Sequence, residues 1–452
     1  MAKKKQIELT IEEKLQNALV PKEEQPYKIP SNWCWGILGE ITSVIGGGTP
    51  SSKINEYYDN GDIAWITPSD LSNYNNMYIS KGKKMITKLG LMKSSAKLLP
   101  KGTVCLSSRA PIGYVVIAKN ELSTNQGFKS FLPSKVFKSE YLYWYLKSIK
   151  HILEAKASGT TFLELSAKKA GEVEIPLPPI NEQQRIVNRI ESLFTKLDRA
   201  KELIENTLAQ FEQNKMAILH KAFIGELTAK WRKENNIDLS SWEKIKLGKV
   251  LLPMQTKKPT GQFFRYIDID AIDNKRQIVK APKLILTEKA PSRASRGVET
   301  GNILFSMVRP YLKNIAQIDS DLSDCIASTG FYVCRCKPEL NSRFLYYLFI
   351  FDKTIDYLMQ FMKGDNSPSI RKDDLLNMKI DLPTIEEQQE IVNILDNLLA
   401  KYNKIKNLEQ QLEKIELLKK AILAKAFRGE LGTNNPDEES AENLLKEILA
   451  EK

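Results

Sequence analysis

The sequence contains few of the residues on which most enzymes and metal sites depend. Its 452 residues include two histidines and five cysteines. With only His151 and His220, acid–base catalysis by histidine is poorly supplied. Cys334 and Cys336 form a Cys-x-Cys pair, but neither a second pair nor a histidine is near, so we expect buried strand cysteines rather than zinc ligands. An odd cysteine count without a secretory signal predicts reduced thiols in a cytoplasmic protein.

Long apolar runs and nucleotide-binding motifs are also absent. No run approaches the roughly 18 apolar residues of a membrane span, so no membrane association is expected. The basic start, Met1–Lys5, leads into polar residues and not into the apolar centre of a signal peptide. Neither the Gly-x-x-x-x-Gly-Lys-[Ser/Thr] loop that binds ATP nor the Asn-Pro-Pro core of amino-methyltransferases occurs. We therefore expect a non-catalytic chain without a cofactor of its own.

A long internal repeat dominates the residues that are present. Ile180–Asn188 reads Ile-Asn-Glu-Gln-Gln-Arg-Ile-Val-Asn, and Ile385–Asn393 reads Ile-Glu-Glu-Gln-Gln-Glu-Ile-Val-Asn. The two copies also end alike, because Ala217–Leu227 and Ala421–Leu431 share Lys-Ala-Phe-x-Gly-Glu-Leu. A repeat of this kind fixes the architecture before any other feature is considered.

Each copy has the apolar spacing of one long helix that pairs with another helix. At 1.5 Å per residue, roughly 43 residues would span about 65 Å, whereas ordinary core helices, the alternative, are far shorter. The predicted seam in the first copy consists of Leu193, Leu197, Ala200, Ile204, Leu208, Phe211, Lys215 and Ile218. In the second copy it consists of Leu398, Tyr402, Ile405, Leu408, Leu412, Ile415, Leu418 and Ile422.

The segments between the repeats predict an α+β fold with two mixed domains. Strand-like runs such as Ile63–Thr67 accompany an aromatic helical run at Tyr141–Ile152, and Trp33 and Trp242 open the two domains alike. We predict an N-terminal arm (1–30), a first domain (31–179), a central long helix (180–227), a linker (228–241), a second domain (242–384), a C-terminal long helix (385–431) and an acidic tail (432–452). Antiparallel pairing of the two helices would separate the domains and relate them by a pseudo-twofold axis.

The positive charge is concentrated in the two domains. The net charge is +12, and residues 31–174 hold 18 basic and 11 acidic residues, whereas residues 242–381 hold 23 and 16. The long helices are nearly neutral, with 7 against 6 in 181–224 and 8 against 7 in 386–428. A basic domain suggests a polyanionic partner, and double-stranded DNA is the obvious one. The lysine-rich run 81–101 is equally compatible with a merely solvated face.

Together these motifs resemble the specificity subunits of type I restriction–modification systems. The resemblance covers nearly the whole sequence and rests on the twin Glu-Gln-Gln-x-Ile-Val-Asn starts and the twin Lys-Ala-Phe-x-Gly-Glu-Leu ends. It also rests on the segments Pro30–Trp33, Asp62–Asp70 and Gly301–Pro310. The resemblance implies that each domain, called a target recognition domain, reads one half of a split, asymmetric DNA sequence.

The resemblance also implies partners. The paired helices would set the spacing between half-sites and dock two methyltransferase subunits, and restriction or translocase subunits would complete the complex. Adenine methylation and ATP-dependent cleavage would be performed by those partner chains. S-adenosylmethionine, ATP and Mg²⁺ are thus implied for the partners and not for this chain.

Candidate site residues follow from side-chain chemistry. Arginines suit guanine edges or phosphates, lysines suit phosphate oxygens, and asparagine suits adenine. The candidate DNA-binding residues are Lys81, Lys83, Lys84, Arg109, Asn274, Arg293, Arg296, Arg309, Lys313 and Lys372. Exposed positions on the long helices give the candidate methyltransferase contacts Arg185, Arg189, Glu191 and Asp396. A structural or solvated role remains open for each of them.

Two other functions remain open from the sequence. One is a self-sufficient DNA methyltransferase or nuclease with divergent motifs. The other is a coiled-coil scaffold that does not bind nucleic acid. Labelling of DNA by the isolated chain would support the first, and salt-dependent DNA binding would exclude the second.

Overall fold

The computed structural model describes residues 9–159, 163–400 and 405–451, with the backbone alone for 405 and 406. The chain forms two compact units. Unit 1 comprises the residues up to Glu202 together with those from Gln411 onward, and unit 2 comprises Leu203–Gln410. Each unit therefore combines one globular domain with parts of both long helices.

The described strands of unit 1 form three sheets. A five-stranded sheet has the order Val44–Gly46, Phe128–Phe131, Val104–Ser108, Ile112–Ala118 and Tyr78–Ile79. A three-stranded sheet has the order Lys84–Ile86, Ile63–Ile66 and Ser123–Thr124. Cys34–Ile37 pairs with Glu174–Leu177, so the two ends of the domain meet.

The helices of unit 1 pack on these sheets and on one another. They are Ile11–Ala18, Leu38–Ile41, Lys88–Met92, Ser139–Ser148, Lys150–Lys156, Ala167–Gly171 and Ala441–Ala450, with short 3₁₀ turns at Lys22–Glu24, Asn55–Tyr57 and Pro68–Leu71. The predicted aromatic helix is divided at Ile149. Its Tyr141 is fully buried and donates a hydrogen bond to Pro176 O at 2.7 Å, which fixes the helix to the last strand of the domain.

Unit 2 repeats the same plan. One four-stranded sheet has the order Leu251–Leu252, Phe331–Cys336, Ile303–Ser306 and Ile315–Gln317. A second four-stranded sheet has the order Lys283–Leu286, Phe263–Ile267, Ile326–Ser328 and Ala294–Gly297. Two strand pairs are Ile272–Asp273 with Ile278–Val279, and Glu243–Lys246 with Lys379–Leu382. Helices span Ala229–Glu234, Ser342–Ile350, Asp352–Met359 and Lys372–Leu376, with 3₁₀ turns at Leu239–Ser241, Leu247–Val250, Ile269–Ala271, Thr287–Lys289, Pro310–Leu312 and Ser320–Leu322. As in unit 1, the first strand of the domain pairs with the strand that precedes a long helix.

The first predicted long helix is confirmed as one helix, Ile180–Phe223, of 44 residues. It ends where Gly225 adopts a left-handed conformation with φ +80°, and Leu227 N donates back to Lys221 O at 3.0 Å, as a glycine-terminated helix does. The second repeat contains helices Ile385–Ala400 and Ile405–Ala426. Residues 401–404, including the predicted seam residue Tyr402, lie outside the described part of the chain.

Burial confirms the predicted seam of the first helix. Each predicted seam position from Leu193 to Ile218 is half-buried, whereas Leu203, beside the seam, is 52% exposed. In the second helix, Ile415 is 5% exposed as expected, but the prediction for Leu418 is wrong because its side chain is 50% exposed. Lys419 occupies that level of the seam instead.

The seam tolerates Lys419 because its aliphatic stem packs while its ammonium group finds polar partners. In unit 1 the Lys419 ammonium bonds to Asp198 and lies 5.3 Å from the ring centroid of Phe194. One helical turn away, Lys201 Nζ lies 3.2 Å from Glu416 Oε1. Since the residue number rises on one helix as it falls on the other, the helices are antiparallel within this unit.

The N-terminal arm and the acidic tail both belong to unit 1. Helix Ile11–Ala18 packs against helix Ala441–Ala450, and Lys446 Nζ lies 3.4 Å from Glu12 Oε1. Leu15 and Leu445 join the main core of the unit. The arm helix and the tail helix therefore close one core, and the family resemblance did not predict this packing.

The cysteines, the histidine and the helices considered for metal binding, catalysis or membrane crossing have ordinary surroundings. Cys334 is fully buried in its strand and Cys336 is half-buried. His220 is half-buried, with its ring centroid 6.1 Å from that of Phe351. Across the described ranges, the helices lack the combined length and apolar character that crossing a membrane requires.

Candidate nucleic-acid interface

The lysine-rich run of unit 1 begins on a loop with a well-defined backbone. Asp70 accepts hydrogen bonds from Thr67 N at 2.7 Å and from Lys83 N at 3.0 Å. Gly82 is packed so closely that a Cβ there would lie 2.5 Å from Trp65 O. The loop thus holds its backbone firmly while its lysine side chains extend into solvent.

The predicted lysines on this loop keep their charges available. Lys81 and Lys83 are exposed, and within the described residues neither ammonium group has an ion-pair partner. Lys84 is also exposed, with its ammonium 6.0 Å from the ring centroid of Tyr58. Uncompensated lysines on a rigid loop suit contacts to phosphate oxygens.

Arg109 is engaged by a carboxylate. Its Nη1 lies 3.6 Å from Glu164 Oε2, and Lys129 Nζ approaches the same carboxylate at 3.3 Å. The Arg109 side chain is 35% exposed. Partly exposed ion pairs contribute about 0–1 kcal/mol, so a phosphate or base edge can replace this one at small cost.

Two arginines of unit 2 differ from their neighbours by having no acidic partner. Arg265 pairs with Asp324 at 2.9 Å and Arg335 with Glu299 at 3.2 Å. Among the described residues, Arg293 makes no side-chain hydrogen bond or ion pair, and the buried Nε of Arg296 has no acceptor. Arg293 directly precedes strand Ala294–Gly297 and Arg296 lies in it, so the segment Ser-Arg-Ala-Ser-Arg places two guanidinium groups without described acidic partners near one sheet edge.

Arg296 also affects a buried tyrosine. Burial raises the pKa of Tyr332 to about 12, and the nearby positive charge of Arg296 opposes that increase. Tyr332 belongs to strand Phe331–Cys336 of the neighbouring sheet. The half-buried position of Arg296 gives its side chain a fixed direction, which a base contact requires.

Arg309 and Lys313 flank a short turn and are engaged by their own unit. Both adopt the left-handed conformation, with φ +49° and +50°, at a cost of about 1–3 kcal/mol each for residues with a side chain. Arg309 Nη2 donates to Asn366 O at 2.8 Å. Lys313 Nζ donates to Ile350 O at 3.1 Å and pairs with Asp352. These contacts stabilise the turn.

The remaining predicted DNA contacts are exposed. Asn274 lies in a turn where its carbonyl oxygen accepts from the Gln277 amide, and its own side chain faces solvent. Lys372 is the exposed first residue of helix Lys372–Leu376. The DNA-binding roles of all ten residues remain predictions.

The four candidate partner contacts fall into two groups. Arg185 forms a bidentate pair with Glu438 at 2.7 and 2.8 Å, and Asp396 accepts from Arg343 Nη2 at 3.0 Å. Arg189 and Glu191 are exposed, although partial burial and the nearby Glu140 raise the pKa of Glu191. The first two residues are thus engaged within their own units, whereas Arg189 is exposed without a described partner and Glu191 lies beside Trp144 and Glu140.

The sequence motif contains structural residues whose role had not been predicted. Glu182 and Glu387, the first glutamates common to both copies, are fully buried. Gln183 Nε2 donates to Val136 O at 2.9 Å, and Gln388 Nε2 donates to Glu339 O at 3.0 Å. The signal was available in the sequence, because the two copies keep this glutamate and glutamine, whereas Asn181 and Arg185 beside them are replaced by Glu386 and Glu390.

Comparison with known proteins identifies the class to which this architecture belongs. The sequence profile described as the type I restriction modification DNA specificity domain matches residues 30–210 and again residues 242–417. The chain belongs to this family, and it is a DNA sequence-specificity subunit of a type I restriction–modification system.

Relatives over most of the chain carry the same description. The type I restriction enzyme MjaIX specificity subunit of Methanocaldococcus jannaschii is 30% identical over 441 residues, 91% of this chain and 96% of the relative. The EcoDI specificity subunit of Escherichia coli is 27% identical over 350 residues, 70% of this chain and 77% of the relative.

Two solved structures share the fold. One comes from work on complex assembly and conformational transition of the type I R-M system, with a TM-score of 0.68 and 22% identity over 90% of this chain and 100% of that one. The other is the HsdS subunit from Thermoanaerobacter tengcongensis, with a TM-score of 0.55 and 21% identity over the same shares. At these identities the similarity concerns the fold alone.

Proposed function

We propose that the two domains bind the two halves of one asymmetric, bipartite target in double-stranded DNA. The observation that carries this proposal is the difference between two basic surfaces on one repeated frame. Unit 1 presents lysines on a rigid loop (Lys81, Lys83), whereas unit 2 presents arginines without described acidic partners at a sheet edge (Arg293, Arg296). Different side chains on the same frame favour different half-site sequences.

The proposal includes the partners that a specificity subunit needs. The long helices would set the spacing between half-sites and dock two methyltransferase subunits. Restriction or translocase subunits would complete the complex. This chain would be non-catalytic. S-adenosylmethionine, ATP and Mg²⁺ would be bound by the partner chains, and the complex would act in the cytoplasm.

A domain exchange tests the proposal. Residues 31–174 would be replaced by those of another family member, and methylated motifs would be mapped in genomic DNA from cells with and without the gene. We expect one half-site to change while the other half-site and the gap persist, because the second domain is untouched. An exchange of residues 242–381 is the matched control and should change the opposite half.

The results distinguish the alternatives. A change in both half-sites after a single exchange would contradict independent reading by the two domains. Methylation of DNA by the purified chain with S-adenosylmethionine alone would instead support a self-sufficient enzyme. Loss of the gene without loss of any methylated motif would argue against the proposed function as a whole.

A further inference from the structure

One surface of unit 2 is acidic although the chain as a whole carries a charge of +12. Two adjoining open cavities, of about 520 and 380 Å³, share Ile385 at the start of the second long helix. We call this surface the acidic groove and define it by Trp231, Glu243, Glu339, Ile385, Glu386 and Glu390. It combines an apolar centre with four carboxylates.

The acidic groove contains polar groups without described hydrogen-bond or ion-pair partners. Within the described residues, none of its four carboxylates has an ion-pair or hydrogen-bond partner. Ile385 is 39% exposed, and the buried hydroxyl of Ser241, in the wall of the smaller cavity, has no described partner. An exposed apolar centre with a polar rim is characteristic of a protein-binding surface.

The internal repeat supplies the equivalent surface in unit 1. Cys34 lies opposite Leu177 as Glu243 lies opposite Leu382 in the corresponding strand pairs. The carbonyl groups of Val136 and Glu339 both accept a hydrogen bond from the equivalent glutamine of the motif. Two of the four glutamates of the acidic groove, Glu243 and Glu339, thus replace a buried cysteine and a buried valine.

In unit 1 this equivalent surface is covered by the chain's own tail. Ala441 N donates to Asn32 O at 3.0 Å, and Lys135 Nζ lies 2.6 Å from Glu451 Oε2, so helix Ala441–Ala450 crosses the surface between these contacts. Burial, aided by the Glu442 carboxylate, raises the pKa of Cys34 to about 12. A short amphipathic helix therefore fits this surface.

The charge of the surface is reversed between the repeats. Arg185 of the first copy corresponds to Glu390 of the second. Arg185 binds the tail through Glu438 at 2.7 and 2.8 Å, whereas Glu390 has no described partner. An occupant of the acidic groove must consequently carry positive charge where the tail carries negative charge.

We propose that the acidic groove docks a basic amphipathic segment of a protein partner, and that this partner is the methyltransferase subunit on which the proposed function rests. Its apolar side chains would pack on Ile385, and a lysine or arginine would lie between the Trp231 ring and Glu390, combining cation–π attraction with an ion pair. DNA is repelled by the four carboxylates. The tail of a second copy is unsuitable because it holds six acidic and two basic residues.

The test reverses two charges in the groove. The full-length double variant Glu339→Lys, Glu390→Lys would be titrated with the purified methyltransferase subunit by calorimetry. We expect its affinity to fall at least about tenfold, because two attractive charges become repulsive. The matched control is Glu288→Lys, Asp356→Lys, which makes the same charge change at exposed positions of unit 2, and its affinity should match that of the wild type.

Two further measurements separate the explanations. Thermal unfolding of both variants should match the wild type, because the replaced side chains have no described hydrogen-bond or ion-pair partner. The wild-type affinity should also fall more steeply with salt than that of the groove variant. Equal affinity of groove variant, control and wild type would overturn the docking site, as would a wild type that does not bind the methyltransferase subunit. A wild type with no DNA sequence preference would instead overturn the proposed function.

Discussion

The two copies of the Glu-Gln-Gln motif place a glutamate against a tryptophan but give it different polar partners. In unit 1, Glu182 accepts hydrogen bonds from Trp33 Nε1 at 2.8 Å and from Asn434 Nδ2 at 2.9 Å. The Thr433 hydroxyl donates to it at 3.3 Å. These donors are neutral, and burial raises the pKa of Glu182 in spite of them.

In unit 2 the equivalent glutamate belongs to a buried ion pair. Glu387 accepts from Trp242 Nε1 at 2.9 Å and from the Thr228 hydroxyl at 2.6 Å. The guanidinium of Arg232 also bonds to it, and the two side chains of this pair are 8% and 0% exposed. The tryptophan and threonine contacts are therefore common to both units. In unit 2 a cation is bonded directly to the glutamate, whereas in unit 1 the nearby Arg185 acts on Glu182 only through its charge and is bonded to Glu438.

The comparison explains why the motif is repeated. The tryptophan joins the start of each domain to the start of the helix that follows it. The threonine comes from the segment that follows the other long helix, so the same carboxylate also fixes that helix end. Both copies of the motif keep this three-way contact, whereas the groups that balance the charge of the glutamate differ between the two units.

Removing the cation should give the largest difference between the units. Arg232→Met leaves Glu387 as a buried charge without compensation and should lower the free energy of unfolding of unit 2 by about 3–5 kcal/mol. The matched change in unit 1, Asn434→Ala, removes a neutral donor and should cost about 1–3 kcal/mol. Urea unfolding combined with hydrogen exchange of strands Glu243–Lys246 and Cys34–Ile37 would assign each loss to its unit. Equal losses would contradict the difference in neutralisation.

A smaller effect should distinguish the two DNA-binding surfaces. The Arg293 guanidinium has no partner in the described part of the chain, whereas Arg109 must first leave Glu164, so Arg293→Ala should weaken specific DNA binding more than Arg109→Ala does. For a bidentate base contact we expect a loss of about 1–3 kcal/mol, confined to the half-site of the second domain. Binding selection from a randomised DNA library would measure it. Unchanged affinity and preference for Arg293→Ala would place this residue outside the interface.

The sequence was sufficient for features that depend on local periodicity. The spacing of apolar residues located the helix Ile180–Phe223 and its half-buried seam, and the glycine at 225 marked its end. The same spacing selected Leu418 incorrectly, because a lysine with a long aliphatic stem can occupy a seam that the pattern assigns to leucine. Periodicity locates the face of a helix but does not identify which side chain fills each level.

Pairings between distant parts of the sequence were beyond prediction. Arg185 was selected as a partner contact because charged helix residues are usually exposed, yet Glu438, 253 positions further along, engages it within unit 1. Asp396 is engaged in the same way by Arg343. No local pattern carries information about such contacts or about the acidic groove, whose residues come from four separate segments of the sequence.

The smallest expected effect, and the one that separates the two glutamates most directly, is the change in the pH dependence of stability when each is replaced by glutamine. Because the folded state raises the pKa of Glu182 above that of the unfolded chain, the contribution of this group to stability is fully present below about pH 4.3, the unfolded value, and is lost as the pH rises through the folded pKa. Glu182→Gln should therefore gain stability relative to the wild type as the pH rises from about 4.3 toward neutral, because the variant carries no charge to bury. Glu387→Gln should instead be destabilised at neutral pH, since Arg232 loses its counter-charge. Urea midpoints of the two variants and the wild type across this range provide the measurement, and parallel pH profiles for the two variants would show that the glutamates are electrostatically equivalent after all.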